Sequence, residues 1–228
     1  MSGSRYINNF EKVDMSVDYN LDDAIEMLKN FKSTKFDETV DLAVNLGVDP
    51  RHADQSIRGT VSMPNGTGKE VKILVVTKDK VDEAKEAGAD FFGSDDMLEK
   101  IKGGWTDVDV IIATPDMMPE LGKLGRVLGP RGLMPNPKTG TVTNDIKKAV
   151  VEVKSGKIEY RADKNGVVHA GVAKLSFENN QIKENIDTFI SKILKVRPSS
   201  VKGTYMKKIT LSSTMSPGIR LSNDQFNK

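Results

Sequence analysis

The chain contains two kinds of apolar pattern, and together they limit the folds open to it. Residues 71–77 and 108–114 are nearly continuous apolar runs separated by helical patterns. Such runs are typical of parallel strands that helices cover on both faces. In residues 40–46 and 158–160 the apolar side chains instead alternate with other residues, which predicts half-buried strands. The sequence therefore predicts two domains of different construction.

The order of these patterns predicts that one domain is inserted into the other. Turn-rich residues 64–68 (Pro-Asn-Gly-Thr-Gly) and the pair Ser155-Gly156 separate the two patterns. We predict a discontinuous α+β domain formed by residues 1–68 and 156–228, with an α/β domain at 69–155 inserted into it. The two closely spaced crossings between the domains would form a natural hinge.

Local signals predict several element ends within the discontinuous domain. Asn20 precedes an amphipathic pattern over residues 21–31, and Asn180 precedes another that includes Ile182 and Leu194, so each Asn is predicted to cap a helix. Asn165-Gly166 between two extended runs predicts a β-hairpin. Residues 203–211 predict a closing strand.

Composition excludes several classes of site. The chain has no cysteine, which excludes thiolate nucleophiles, disulfides and Cys-based zinc sites. Its two histidines leave little material for a His-based metal or triad site. We therefore expect no cofactor. No apolar run approaches the roughly 18–20 residues of a membrane helix, and residues 1–20 lack the apolar stretch of a signal peptide. A cytoplasmic protein is expected.

Charge is unevenly distributed along the chain. Residues 160–228 carry 12 Lys and Arg against 5 Asp and Glu, whereas residues 1–68 carry 7 against 11. A basic third of this kind attracts polyanions. It would equally serve to neutralise the acidic first third within the fold, and the sequence alone leaves both interpretations open.

Residues 122–140 form the most unusual segment. Twelve of these nineteen residues are Gly, Pro, Lys or Arg, which predicts a shaped cationic loop without regular helix or strand. Such a backbone suits phosphate. Residues 132–139 come within one residue of the phosphate-loop pattern, but Pro137 stands where that pattern needs Gly and has no N–H to offer a phosphate. An α/β enzyme that binds a nucleotide or phosphorylated metabolite at this loop is the alternative function.

Two short clusters combine hydroxyls with a large apolar side chain. Residues 33–37 (Ser-Thr-Lys-Phe-Asp) and 212–218 (Ser-Ser-Thr-Met-Ser-Pro-Gly) each carry groups that contact phosphate, ribose or a base face. The residues alone are also compatible with a core phenylalanine and with the start of a tail.

These segments together resemble a known family. The resemblance rests on Asp41-Leu-Ala-Val-Asn-Leu-Gly-Val-Asp49, residues 124–137 with their Gly-Pro-Arg-Gly-Leu-Met-Pro core, Tyr160-Arg-Ala-Asp-Lys164 and Ser213-Thr-Met215. In order and content they are similar to the large-subunit ribosomal protein L-one family, whose members belong to the mobile lateral stalk. The match extends from about residue 21 to residue 220.

The resemblance implies a fold and a set of partners. The inserted domain would be Rossmann-like, and the protein would be a non-enzymatic, structural component of the cytoplasmic ribosome and a monomer away from it. Its partners would be large-subunit ribosomal RNA and exit-site transfer RNA. Bacterial members also bind their own messenger RNA and repress its translation.

The resemblance also carries RNA contacts over to matching positions. The side chains and backbone of the two chain ends would make the main contacts, while cations of the 122–140 segment would add auxiliary ones. The main positions are Thr34, Lys35, Phe36, Arg161, Asp163, Lys164, His169, Ser213, Thr214, Met215, Ser216 and Pro217. The auxiliary positions are Lys123, Arg126, Arg131 and Lys138.

The sequence departs from the family pattern at two places. Ser216 stands where the family usually has Gly after Thr-Met. If the backbone at this position has positive φ, a side chain in place of Gly would cost of order 1 kcal/mol. Residues 1–20 are also less basic than is common in the family, so the resemblance carries no RNA contact over to them.

Overall fold

The computed structural model describes residues 3–32, 34–78 and 80–226. Packing divides the chain into two compact units. The split unit comprises Met1–Gly68 and Ile158–Lys228, and the central unit comprises Lys69–Lys157.

Strands and helices of both units follow one another along the chain. The strands are β1 Thr39–Leu46, β2 Arg58–Ser62, β3 Ile73–Val76, β4 Phe91–Gly93, β5 Val110–Ala113, β6 Lys157–Arg161, β7 Val167–Lys174, β8 Met206–Ser213 and β9 Ile219–Leu221. The α-helices are α1 Ser4–Phe10, α2 Leu21–Lys29, α3 Val81–Glu86, α4 Asp95–Lys102, α5 Met118–Lys123, α6 Gly125–Leu128, α7 Ile146–Lys154 and α8 Asn179–Lys195.

The split unit is built on a four-stranded sheet in the order β7-β1-β8-β9, with antiparallel pairing throughout. Every second side chain of β1 is buried, as its alternating pattern predicts. The helices α2 and α8 pack on each other and contact this sheet. Their apolar side chains and those of the sheet form one core, in which Tyr160 meets Phe189 edge to face with ring centroids 5.6 Å apart. On the other sheet face, which we call the open face, the described side chains are half-buried or exposed.

The predicted hairpin is wrong in its pairing. Residues 163–166 form the expected turn, in which the Gly166 N–H donates to the Asp163 carbonyl at 3.1 Å and Gly166 has φ 76°. The two strands then separate: β6 pairs with β2, β7 pairs with β1, and a single bridge joins Ala162 to Val168. Burial of Tyr160 against Phe189 explains why β6 leaves its sequence neighbour.

Both predicted Asn caps are replaced by other side chains. Asn20 precedes α2, but its side chain makes no capping hydrogen bond. Gln225 accepts instead from the Leu21 N–H at 3.0 Å, and its own amide donates to Asn20 Oδ1 at 3.1 Å. At α8 the cap is Glu178, which forms a reciprocal capping box with Gln181. Partners distant in sequence and an earlier helix start therefore account for both errors.

The central unit contains a parallel sheet in the order β4-β3-β5. All four side chains of β3 are buried, because apolar clusters cover both faces of the sheet. The predicted runs 71–77 and 108–114 are thus confirmed as buried strands in their central residues. The fold as a whole is a mixed α/β structure with several sheets and helices.

The prediction for residues 122–140 is wrong in its first part. Residues 118–128 are helical, as α5 and α6, and only the stretch from Gly129 to Asn136 is irregular. Met117, Leu121, Leu124 and Leu128 recur at helical spacing and are all buried. Packing of this apolar stripe outweighs the low helix propensity of the intervening glycines.

No helix in the described ranges is both long enough and apolar enough to cross a bilayer.

Candidate nucleic-acid interface

The open face of the split-unit sheet carries mainly polar and small side chains. Antiparallel register places Asp41 between Gly171 and Ser212, and Asn45 between Val167 and Lys208. Between these two rows, Ala43 lies opposite His169 on one side and Thr210 on the other. Because β1 has eight residues, the face is about 25 Å long. It offers small side chains and backbone over the length of several nucleotides.

One end of this face is organised by a buried carboxylate. Glu38 is only 3% exposed. One of its oxygens accepts from the Ser213 hydroxyl at 2.5 Å and from the Met215 N–H at 3.1 Å. The other oxygen lies 3.7 Å from an Arg5 nitrogen. We call residues 34–38 with 213–217 the Glu38 corner.

Hydrogen bonds keep this carboxylate ionised. Burial would raise the pKa of Glu38, but bonds from the Ser213 hydroxyl, the Met215 amide and Thr34 outweigh it and hold the pKa below its ordinary value. At neutral pH the corner is therefore fixed by a charged acceptor, and hydrogen bonds to charged groups are stronger than neutral ones.

Most hydroxyls of the Glu38 corner are already engaged within the protein. Thr214 Oγ1 accepts from the Thr39 N–H at 3.0 Å. Ser216 Oγ accepts from the Ser213 N–H at 2.8 Å and donates to the Pro217 carbonyl at 3.1 Å. Thr34 Oγ1 donates to the Phe36 carbonyl at 2.9 Å. These groups shape the corner, so contact with a ligand falls to whatever side chains they leave exposed.

Two large apolar side chains and a cation are left exposed. Phe36 is 55% and Met215 48% exposed, both unusually high for their size. Lys35 is exposed beside Phe36, whereas Ser213 and Pro217 are buried. The chain segment 33–37 singled out in the sequence begins with Ser33, which lies outside the described residues.

Ser216 fits its position without backbone strain. No described residue other than glycine has positive φ. The condition under which Ser would be costly in place of the family Gly is therefore not met, and its hydroxyl closes the turn instead.

The predicted contacts on the 161–169 segment lie toward the other end of the sheet. Leu46 and Val48 carbonyls contact the Gly166 position, which places the turn where β1 ends. Asp163 Oδ1 accepts from the N–H groups of Asn165 and Val167, each at 2.8 Å. The Val167 bond is the main reason why the pKa of Asp163 is lowered. One carboxylate oxygen therefore serves the turn, and Asp163 forms no ion pair with Arg161 in the described structure.

The predicted positions thus fall into two groups, one at the Glu38 corner and one around the 163–166 turn and His169, rather than into a single cluster. Arg161, Lys164 and His169 are exposed. His169 lies opposite Ala43, roughly midway between the Glu38 corner and the 163–166 turn.

Two cationic features do not follow from the sequence. Lys207 and Lys208 are exposed where β8 begins, on the same end of the sheet as the turn, and form no ion pair within the described ranges. The excess of cations in residues 160–228 was the available signal for them. The second is Arg5. No local pattern in the polar N-terminal stretch indicates that Arg5 lies close to Glu38, which is 33 positions away.

The auxiliary cations lie on the central unit. Lys123, Arg126, Arg131 and Lys138 are all exposed. Arg131 donates to Thr106 Oγ1. The Lys138 N–H donates to Asn136 Oδ1 at 2.8 Å, within a short 3-10 turn rather than at the start of an α-helix.

No group of three His, Cys, Asp or Glu suited to a metal ion occurs in the described part of the chain.

Comparison with known proteins adds independent information. A family model described as Ribosomal protein L1p/L10e family matches residues 28–217. A protein of Chlorobaculum tepidum named Large ribosomal subunit protein uL1 is 58% identical over 227 residues, covering 99% of this chain and 98% of the relative. A protein of the same name from Protochlamydia amoebophila is 57% identical over 212 residues, covering 92% and 90%.

Proposed function

The chain belongs to the ribosomal protein L1p/L10e family, and from this premise we propose that it is an RNA-binding structural component of the large ribosomal subunit. Its split unit would hold ribosomal RNA of the lateral stalk. The expected absence of catalysis is part of the same proposal.

The observation that carries the proposal is the Glu38 corner. A buried, ionised carboxylate fixes a turn whose engaged hydroxyls leave Phe36 and Met215 exposed. Exposed apolar side chains held rigidly beside a cation suit a splayed base and its ribose. An ordinary surface turn has no need of such an anchor.

The open sheet face extends this contact along the RNA. Lys35 at the Glu38 corner and Lys164, Lys207 and Lys208 at the far end are exposed cations separated by polar sheet surface. Phosphates at both ends would fix the RNA in register, while Phe36 and Met215 would discriminate bases or sugars. His169 would contact the RNA between them.

Finer assignments follow from the family resemblance. We propose that the central unit is a Rossmann-like domain inserted into a split α+β domain, and that Lys123, Arg126, Arg131 and Lys138 make auxiliary contacts to exit-site transfer RNA. Binding to its own messenger RNA, with repression of translation, is proposed on the same basis. The protein would act in the cytoplasm, on the ribosome, and be a monomer away from it.

A salt-dependent titration tests the proposal. Wild-type protein titrated with a stalk RNA fragment should lose affinity steeply as salt rises, because bound phosphates release counterions. Lys35→Gln should reduce the slope of log K against log salt by about 0.7–0.9. Met215→Ala should lower affinity without changing that slope.

Lys192→Gln is the matched control. Lys192 is exposed on α8, which covers the opposite face of the sheet, so this variant should bind like the wild type. Absent or salt-independent binding by the wild type would contradict the proposed function.

The alternative enzyme has little support from the 122–140 segment. Pro137 begins a three-residue 3-10 turn, and the phosphate loop would need a backbone donor and an α-helix there. Thermal stabilisation by ATP, GTP or NAD, with none by structured RNA, would favour the enzyme.

A further inference from the structure

The first helix exposes aromatic side chains beside the Glu38 corner. Tyr6 is 36% and Phe10 43% exposed. They are one helical turn apart, with ring centroids at 6.2 Å and an interplanar angle of 22°. Large apolar groups that stay exposed together often mark a contact surface.

Helix α1 is held firmly in this position. Asn9 is only 1% exposed, accepts from the Lys32 N–H at 3.0 Å and donates to the Lys32 carbonyl at 3.4 Å. An Arg5 nitrogen donates to the Met215 carbonyl at 3.5 Å, and another lies 3.7 Å from Glu38. The helix is thereby tied to the same carboxylate and the same turn that form the candidate site.

A groove runs between α1 and the 213–217 turn. Its lining consists of Gly3, Arg5, Tyr6, Thr214, Met215 and Ser216. Tyr6 supplies an aromatic surface and Met215 an apolar side chain, while Arg5 contributes positive charge. The groove therefore offers an aromatic face, a flexible apolar contact and a cation within one small space.

We propose that this groove binds one unpaired nucleotide of the RNA that occupies the open sheet face, with its base stacked on Tyr6. The inference rests on the proposed function and deepens it by adding a single-stranded subsite outside the predicted contacts. Every base has a π-face, so an aromatic ring accepts any unstacked base. Met215 would contact the ribose or the other side of the base.

Three observations favour RNA over a protein as the occupant. The groove shares Met215 and Ser216 with the Glu38 corner, so it continues the candidate interface directly. Exposed Lys32 and Lys35 flank the segment that anchors α1. The carboxylate of Glu38, which pairs with the groove residue Arg5, is buried, so it presents little negative charge to a phosphate.

Affinity measurements on matched variants test the subsite. Tyr6→Ala should weaken binding of the stalk RNA by about 5- to 150-fold, the range for losing one base–aromatic stack. The slope of log K against log salt should stay unchanged, because Tyr6 carries no charge. Tyr6→Phe keeps the ring and should bind within about twofold of the wild type.

Ile7→Ala is the control for damage to the helix. Ile7 is 46% exposed on α1 but does not line the groove, so its affinity should match the wild type. Far-UV circular dichroism and the thermal midpoint are compared across all variants. Both change if a variant loses helix α1, and neither changes if it loses only the contact between Tyr6 and a base. Equal losses for Ile7→Ala and Tyr6→Ala would overturn the inference.

A fluorescence experiment reports the stack directly. Trp105 is the chain's one tryptophan and lies in the central unit, so Trp105→Phe combined with Tyr6→Trp leaves a single probe in the groove. RNA binding should quench this probe. If the wild type does not bind RNA, the proposed function fails; if RNA binds but neither quenches the probe nor depends on Tyr6, only the subsite fails.

Discussion

The buried Glu38 carboxylate determines the shape of a surface to which it contributes almost no exposed area. It is buried, yet it fixes the Ser213 hydroxyl and the Met215 amide and lies close to Arg5. The exposed Met215 and the groove beside α1 both depend on these contacts. The sequence points to the neighbouring hydroxyls but not to Glu38, because a Glu before a strand gives no local sign of burial.

The pH dependence of this anchor gives a direct test. The folded-state pKa of Glu38 is lowered from 4.5, so the bonds are fully formed above that value and are lost as pH falls through the lowered pKa. In a heteronuclear NMR titration the Met215 amide should shift with an apparent pKa below 4.5.

The neutral variant Glu38→Gln provides the comparison. It should abolish the Met215 amide titration and weaken RNA binding by about 10- to 160-fold, since hydrogen bonds to a charged group contribute about 1.5–3 kcal/mol. Glu11→Gln, exposed at the end of α1, should retain both. An identical titration in Glu38→Gln would show that another group is responsible.

Among the helices and strands, the sequence predicts the features that depend on a pattern of consecutive residues. Alternation in β1 and the continuous apolar run around β3 were sufficient to assign both strands and their burial. The separation of β6 from β7 depends on Tyr160 meeting Phe189, which are distant in sequence. The helical stripe in 117–128 was present but hidden by glycines.

The cap of α2 is the clearest case of a long-range determinant. Gln225 is 204 residues from Leu21, and its side-chain oxygen accepts a hydrogen bond from the Leu21 N–H. Gln225→Ala should destabilise the first turn of α2 by about 1 kcal/mol, seen as faster hydrogen exchange of its amides. Asp224→Ala removes an exposed neighbour and should leave these amides unchanged; equal exchange in both variants would contradict the role of Gln225.

For the molecule as a whole, each unit has its own core. Among the described residues, the split-unit core contains none of the central unit. Buried Asn185 holds the segment that leaves the split unit, donating to the Gly66 carbonyl at 2.9 Å and accepting from the Asn65 N–H at 3.2 Å. The predicted domain boundaries at residues 68 and 156 rest on the change in strand character there and stay a prediction.

Removing the central unit tests how far the split unit is self-sufficient. Replacing residues 69–157 by a short Gly-Ser bridge should leave a protein that unfolds cooperatively and keeps most of its affinity for stalk RNA. Calorimetry and the salt titration provide the measurements. Loss of cooperative unfolding would show that the split unit needs the inserted residues to fold.

The arrangement of β1 also has a consequence for synthesis. Its two neighbours in the sheet are β7 and β8, and Met206 follows Leu46 by 160 residues. At a translation rate of about 5–20 residues per second, the ribosome reaches β8 some 8–32 s after it has completed β1. The central unit is completed earlier. A nascent chain released before residue 206 would carry β1 with an unpaired edge, a template for aggregation. Only a chain elongated past residue 217 contains the whole Glu38 corner, so a shorter product would lack the proposed RNA-binding site.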